Sequence, residues 1–269
     1  MSRKAPSRRE FLTLPLALIL APLIGGRPAG AAPDARKAKY GADISILYGV
    51  LTYRLEGTMT ETVDRGAGQY EVAIVGEGDG IANRVESRGT LWQGRWAPLQ
   101  TRSFFSVKGR ESRSDITYDY ARRSVAYHFK GETFFLRKLR VADDVVPIPE
   151  GMYIDDTLSA TLNYTDQLWV PQADGTYLTR IVRRKKPENE GADDVQQQHY
   201  KAELVPFTLK VVPDASTGKT TAHIDLTRFS SWAKQDQPGK ITFDTARRLE
   251  NMSLPMMLGT SVQVRIATG

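Results

Sequence analysis

Few side chains in this sequence have the type and spacing that catalysis or metal binding requires. The sequence has no cysteine and three histidines, His128, His199 and His223. Lack of cysteine excludes disulfides, thiolate metal sites, iron–sulfur clusters and cysteine nucleophiles. His223 and Asp225 lie two apart on a predicted strand, so they face the same way and could share a metal ion. Two solvent-facing polar residues explain the same spacing, so we predict no cofactor and keep these two residues as the candidates for a metal site.

Hydrolytic chemistry has no clear motif either. No Gly-x-Ser-x-Gly elbow is present, and Ser159, in a predicted helix, fits a structural role better than a nucleophilic one. The acidic pairs at 143–144, 155–156 and 193–194 lack the alternating ligands of an EF-hand, which favours loops and helix caps over Ca²⁺ sites. A glycosidase needs two carboxylates across a cleft, and a sequence does not show that. We therefore predict no catalytic residue, with an envelope glycan hydrolase or another periplasmic enzyme as the alternative.

Gly76, Gly78 and Gly80 alternate along one predicted strand. A phosphate-binding loop would continue into Lys-Ser/Thr and a helix start, and neither follows. Glycines within a strand otherwise mark a sharp coil or a close approach of another backbone. We therefore interpret them as a packing feature.

Export is the most specific function that the sequence indicates. A basic segment is followed by an apolar run at 11–24 and by small residues, Ala29 and Ala31, that suit signal cleavage. The run is too short and too interrupted by proline for a membrane span of ~20 residues. We therefore predict a cleaved signal at 1–32, a periplasmic protein that is soluble after cleavage, and no transmembrane anchor.

The route of export is indicated by the basic segment. Arg8 and Arg9 precede the apolar pair Phe11 and Leu12, an arrangement similar to the twin-arginine motif, which exports folded proteins. An ordinary secretory leader that happens to hold two arginines is the alternative.

The positive charge of the chain belongs mostly to this leader. The full chain has 37 Lys+Arg against 31 Asp+Glu, and removing residues 1–31 leaves 32 against 30. Because nucleic-acid binding needs a basic patch on the folded domain, we predict no nucleic-acid partner.

Alternation of apolar and polar residues dominates the remaining chain and predicts an all-β fold. The clearest hairpin lies at 115–130, where Tyr118 and Tyr120 on one strand and Tyr127 and Phe129 on the next lie on one wall. We predict about nine to twelve strands in an antiparallel meander, forming a curled sheet or an up-and-down barrel. The predicted organisation is a linker at 33–42 and one barrel-like domain at 43–269.

Two stretches interrupt the strand pattern. Asp155 or Asp156 can cap a short helix at 157–169, with Leu158 and Leu162 turned inward. The block at 183–194 changes charge sign within a few residues and predicts a solvated loop.

A distributed set of segments resembles a known family. The segments are the strand at 47–57 with Tyr53 and Gly57, then 80–89, 97–99 and 156–160, and finally 254–256 leading into 262–266. Together they resemble the exported proteobacterial family of the domain of unknown function 3108. The resemblance implies a periplasmic β-meander without an established activity, and no site residue follows from it.

The inner face of such a meander suggests a binding function. Tyr118, Tyr120, Tyr127 and Phe129 are predicted to line a cavity for a lipid or another hydrophobic molecule, and a packed core is the alternative. We expect a non-enzymatic protein that binds such a ligand, or an envelope protein partner, in envelope biogenesis. A structural interaction module is the other alternative, and it predicts a filled barrel with an exposed apolar patch or sheet edge.

Overall fold

Fifteen strands form one sheet in the described part of the chain. The computed structural model describes residues 32–46, 48–133, 136–187, 190, 195, 199–230, 233–234 and 236–268. The predicted export residues Arg8, Arg9, Phe11, Leu12, Ala29 and Ala31 lie outside these residues. The strands are β1 Asp34–Ile46, β2 Leu51–Asp64, β3 Gln69–Gly78, β4 Ile81–Trp92, β5 Arg95–Val107, β6 Arg110–Asp119, β7 Ser124–Glu132, β8 Leu139–Pro147, β9 Thr176–Arg184, β10 His199–Tyr200, β11 Ala202–Pro213, β12 Thr220–Ile224, β13 Gly239–Phe243, β14 Leu249–Pro255 and β15 Ser261–Thr268.

The strands follow an antiparallel meander, as predicted. β1 to β8 are successive neighbours in the sheet, and β15, β14, β13, β12, β11 and β9 continue it from the other side of β1. Short turns at residues 48–50, 79–80 and 108–109 therefore lie at one end of the sheet, which we call the hairpin end. The turns at 65–68, 93–94 and 244–248 lie at the opposite end, which we call the helix end.

One stretch of chain brings the two edges of the sheet together. β10 pairs in parallel with Val141 and Ala142 of β8. β11 begins two residues after β10 ends, and it pairs with β9 at the other edge. Because the same stretch serves both edges, the sheet forms a nearly closed barrel. The predicted all-β, barrel-like fold is confirmed.

β1 includes most of the stretch predicted to be a linker. All 13 residues of β1 pair with β2, and Ala38, Tyr40 and Ala42 lie in the core. Small alanines between basic residues make a weak hydrophobic pattern, so the pairing with β2, rather than local alternation, reveals this strand.

The helix, α1, spans Thr157–Thr165 and is shorter than the predicted 157–169. Asp156 is the N-cap: its carboxylate accepts hydrogen bonds from the backbone N–H groups of Leu158 and Ser159, and its own N–H donates to the Ser159 hydroxyl. This reciprocal arrangement is a capping box. The helix ends because Gln167 adopts a φ of 59° and the N–H groups of residues 168 and 169 turn back to the Asn163 carbonyl.

α1 fills the helix end of the barrel. Leu158 and Leu162 join a cluster on the inner faces of β1 to β5, and Ala160 and Tyr164 join a second cluster on β11 to β13. A third cluster packs the β6–β7 hairpin beneath the loop that precedes α1. Both leucines are buried, as predicted.

The strand glycines mark a close contact between β2 and β3. Gly57 and Gly76 are directly opposed. A Cβ atom on Gly57 would lie 1.8 Å from the Val75 carbonyl oxygen, and one on Gly76 would lie 2.5 Å from Leu55. The packing interpretation is therefore supported for Gly76, whereas Gly80 lies in the β3–β4 turn with a φ of 73°.

Candidate functional site

A buried polar network holds α1 against the sheet at the helix end. The Asp155 side chain accepts hydrogen bonds from the Arg95 guanidinium at 2.6 Å and the Thr179 hydroxyl at 2.5 Å. It also accepts from the Ser159 hydroxyl at 3.0 Å and the Asn163 amide at 2.9 Å. These partners come from β5, β9 and α1, so a single carboxylate joins three elements that are distant in sequence.

Burial controls the acidity of this carboxyl group. It raises the pKa of Asp155 to about 6, against the opposing influence of Arg95 and of the Thr179 and Ser159 hydroxyls. Both carboxylate oxygens accept hydrogen bonds from protein side chains. The geometry therefore suits a structural anchor rather than a general acid or base.

Asn163, Asp156 and Ser159 form further hydrogen bonds in this network. The Asn163 amide accepts from the Trp96 N–H and donates to the Trp96 carbonyl, both at 2.8 Å. Asp156 accepts a hydrogen bond from the Thr101 hydroxyl in addition to its capping bonds. Ser159 is fully buried, and its hydroxyl accepts a hydrogen bond from the Asp156 N–H and donates one to the Asp155 carboxylate. These bonds favour its structural interpretation over a nucleophilic one.

The four aromatic residues predicted to line a cavity lie in a packed cluster. Tyr118 and Tyr127 are 3% and 6% exposed. Tyr120 and Phe129 are partly buried against the same cluster. The Tyr120 ring is stacked on Tyr118 with centroids 6.5 Å apart, and the Phe129 ring is stacked on Tyr127 with centroids 6.3 Å apart. Burial raises the pKa of Tyr127 to about 12. Because Ile154, before α1, belongs to this cluster as well, these aromatic side chains form part of the core.

Among the residues that the structure describes, the histidines and acids named from the sequence do not converge on one site; Asp193 and Asp194 lie outside these residues. The Nδ1 atom of His128 lies 3.0 Å from a carboxylate oxygen of Asp143 on the outer face. His223 is on β12, and the nearby Asp225 carboxylate accepts hydrogen bonds from the Thr227 N–H and hydroxyl. Within the residues that the structure describes, no three His, Cys, Asp or Glu side chains are grouped so as to hold a metal ion.

The outer face of β4 to β8 carries a row of ionisable side chains in which acidic and basic residues alternate. Directly paired positions on these five strands are occupied by Glu86, Arg102, Asp115, His128 and Asp143. Arg102 contacts Asp115 at 3.1 Å, and a groove of about 720 Å³ lies over the row. Cross-strand pairs of opposite charge stabilise a sheet, so this row has a structural explanation.

A second buried acid lies where the two edges of the sheet meet. The Glu190 side chain is fully buried and contacts Arg140 of β8 at 3.1 Å and Arg184 of β9 at 2.8 Å. For Glu190, the prediction of a solvated loop is wrong. Arg184 belongs to the same charged block as Glu190, but Arg140 comes from β8, so the local charge pattern by itself does not reveal the burial.

An apolar cleft lies on the inner face of the sheet at the hairpin end. Its volume is about 260 Å³. The lining residues are Ile44, Ile46, Tyr53, Phe105, Val107, Met256 and Val262, with two hydroxyl residues, Ser230 and Thr260. Alternating positions on β1, β2, β5 and β15 supply most of this lining. Sequence alternation indicates the strand faces, but it does not show that these positions stay uncovered after folding.

Exposed apolar side chains and one cation border the cleft. Tyr48 and Val50, in the β1–β2 turn, are 86% and 78% exposed. The Tyr48 ring packs over Gly259, next to the lining residue Thr260. Lys108 follows the last residue of β5, and its Nζ atom lies 5.2 Å from the centroid of the Tyr53 ring. The mouth thus has an apolar rim with an ammonium group beside one wall.

None of the described helices is long and apolar enough to cross a membrane.

Comparisons with known proteins place little constraint on function. No protein-family model matches the chain, and no curated protein matches it. Among solved structures, the chain is similar to a crystal structure described as a beta-barrel-like protein of domain of unknown function 1849 from Brucella abortus. Sequence identity is 11% and the TM-score is 0.42, with 89% of this chain and 98% of that chain covered. This similarity is too low to assign a family or a function to the chain, and the resemblance to the 3108 family stays a prediction.

Proposed function

We propose that this protein is an exported, non-enzymatic binding protein that holds one apolar chain or ring in the cleft at the hairpin end. The observation that carries the proposal is the lining: seven of the nine residues are apolar. α1 fills the opposite end of the barrel, so a ligand enters from the hairpin end and occupies only that end.

The volume of the cleft limits the size of the ligand. About 260 Å³ corresponds to roughly nine water-sized volumes of about 30 Å³ each. It lies just below the range of about 300–1,000 Å³ in which drug-sized molecules bind. The cleft therefore suits a single alkyl chain or one ring system rather than a bulky ligand.

The expected affinity is modest. A group the size of an aromatic side chain buries roughly 150–250 Å², which contributes about 4–6 kcal/mol at about 25 cal/mol per Å². That free energy corresponds to a dissociation constant on the order of 0.1 mM. Tighter binding requires polar contacts outside the cleft.

A pair of adjacent residues on β15 tests the proposal. Val262 lines the cleft and Gln263 is exposed, so tryptophan fills the cleft at the first position and projects outward at the second. We expect 1-decanol, titrated calorimetrically, to bind the wild type and Gln263→Trp but not Val262→Trp. Equal binding by the two variants, or no binding by the wild type, would contradict the proposal.

The exposed rim favours a second candidate function, the docking of an envelope protein partner. Apolar side chains exposed to this extent in one turn, such as Tyr48 and Val50, are typical of interaction surfaces. The two functions differ in the variants that affect them. Tyr48→Ser combined with Val50→Ser should weaken partner docking and leave decanol binding intact, whereas Val262→Trp should do the reverse.

Export belongs to the same proposal and rests on the leader. The twin-arginine route predicts that replacing Arg8 and Arg9 with lysines stops transport to the periplasm. Transport that continues undiminished would instead favour the ordinary secretory route.

A further inference from the structure

We infer that the ligand of this cleft is an anionic amphiphile, with one apolar chain inside the cleft and a carboxylate or phosphate head group bound by Lys108. The inference rests on the proposed binding function and names the chemical class of the ligand.

Lys108 is held beside the mouth by the fold. It follows Val107, which is 6% exposed and lines the cleft. Its backbone N–H donates to the Gly80 carbonyl at 2.8 Å, which fixes the β5–β6 turn against the β3–β4 turn. Its ammonium lies 5.2 Å from the centroid of the Tyr53 ring, and Tyr53 forms part of the cleft wall. The position of this charge is therefore set by two adjoining turns and one ring.

The charge of Lys108 is available to a ligand. The described residues form no salt bridge with it, and its ammonium contacts the Tyr53 ring. The acid on the adjoining turn, Asp79, accepts a hydrogen bond from the Arg54 backbone N–H at 2.9 Å. A cation–π contact leaves the outward side of an ammonium free to donate hydrogen bonds.

The apolar lining and the ammonium beside it follow the same order as the apolar chain and the head group of an anionic amphiphile. The lining is apolar, and a cation stands where the lining meets solvent. A chain buried in the cleft brings its head group to this point, and an anionic head group pairs with the ammonium while remaining partly hydrated. A neutral head group forms no ion pair with Lys108, and a cationic head group is repelled by it. Free fatty acids and anionic membrane lipids share this chemistry.

The experiment compares ligands of equal chain length. Decanoate, 1-decanol and decyltrimethylammonium are titrated calorimetrically at pH 7.5 and low salt into the protein produced from the full chain. We expect decanoate to bind roughly threefold to tenfold more tightly than 1-decanol, between the effects of an exposed ion pair and of a charge-assisted hydrogen bond. Decyltrimethylammonium should bind most weakly.

Substitutions at Lys108 test whether this residue causes the preference for decanoate over 1-decanol. Lys108 has a φ of 49°, a conformation that asparagine tolerates, so Lys108→Asn removes the charge with little effect on the turn. This variant should bind decanoate and 1-decanol equally, and Lys108→Arg should keep the preference. Lys130→Asn, at an exposed position on β7, is the control and should behave as the wild type.

The outcomes separate the inference from the proposed function. Binding of 1-decanol as tight as that of decanoate, unchanged by Lys108→Asn, overturns the inference and leaves the apolar cleft as a binding site. Failure of both ligands to bind overturns the two together.

Vesicles distinguish the sources of the head group. Cosedimentation with phosphatidylglycerol vesicles, but not with phosphatidylcholine vesicles, that is lost in Lys108→Asn supports a membrane lipid. Decanoate binding without cosedimentation supports a free amphiphile.

Discussion

Replacing Asp155 with asparagine should change how the free energy of unfolding depends on pH, because two opposing effects act on this carboxyl group. Burial favours the neutral acid, whereas Arg95 and the Thr179 and Ser159 hydroxyls favour the carboxylate. Burial dominates, so the pKa is about 6 in the folded protein against an ordinary value of 3.8. At about 1.36 kcal/mol per pKa unit, the difference corresponds to about 3 kcal/mol.

The sign of the effect follows from the higher pKa of the folded state. The folded protein binds this proton more tightly than the unfolded chain does, so its stabilising contribution is complete below pH 3.8 and is lost as the pH rises through about 6. Asparagine has no such proton. The unfolding free energy of the wild type minus that of Asp155→Asn should therefore decrease by about 2–3 kcal/mol between about pH 4 and pH 7.

Urea unfolding followed by tryptophan fluorescence, in steps from pH 3 to pH 7, measures this difference. Asp214 provides a control of opposite sign, since hydrogen bonds from the Ser216 and Thr217 side chains lower its pKa to about 2. Its contribution is present above pH 3.8 and is lost as the pH falls through about 2. The difference for Asp214→Asn should accordingly change only at the acidic end. If the Asp155 difference stays constant or grows with pH, the hydrogen bonds outweigh burial and the reasoning is refuted.

Two further predictions concern the junction of the two sheet edges at Glu190 and the packing of the sheet. Glu190→Gln should destabilise the protein by roughly 3–5 kcal/mol, because Arg140 and Arg184 then lack a buried anion. Hydrogen exchange should increase in β8 and β9 more than in β2, and unchanged exchange in β8 and β9 would argue against a role of Glu190 in joining the two sheet edges. Gly57→Ala should cost about 3 kcal/mol or more, because its Cβ would lie 1.8 Å from a backbone oxygen of β3. Gly41→Ala, whose nearest contact would be 3.7 Å away, should change stability by less than about 1 kcal/mol in the same denaturation assay, and similar losses in both variants would contradict the packing argument.

Strands whose alternating residues are large were predictable from the sequence. The β6–β7 hairpin has strong alternation through Tyr118 and Tyr127, and both side chains are buried. β1 was missed because its inward positions include Ala38 and Ala42, whose small side chains give little contrast with their neighbours. β10, with two residues, is too short to show a period, and together with β1 it contributes to the presence of fifteen strands where nine to twelve were predicted.

The helix cap was predictable, whereas its environment was not. An acidic residue just before a helical stretch is a local signal for an N-cap, and Asp156 caps α1. Nothing local distinguishes Asp156 from Asp155, although the latter anchors β5 and β9 through Arg95 and Thr179. Partners that lie 60 and 24 residues away meet only when the barrel has formed.

By itself, the sequence determined the periodic features: the all-β class, the antiparallel order and the inward faces of most strands. The export leader stays a prediction, because its residues lie outside the described part of the chain. The tertiary structure decided which inward faces are covered. The loop before α1 packs against Tyr118 and Tyr127, while Tyr53 and Val262 remain open to the cleft at the other end. Alternation assigns a residue to a face of the sheet, but whether that face meets a helix, a loop or solvent depends on contacts between segments far apart in the chain.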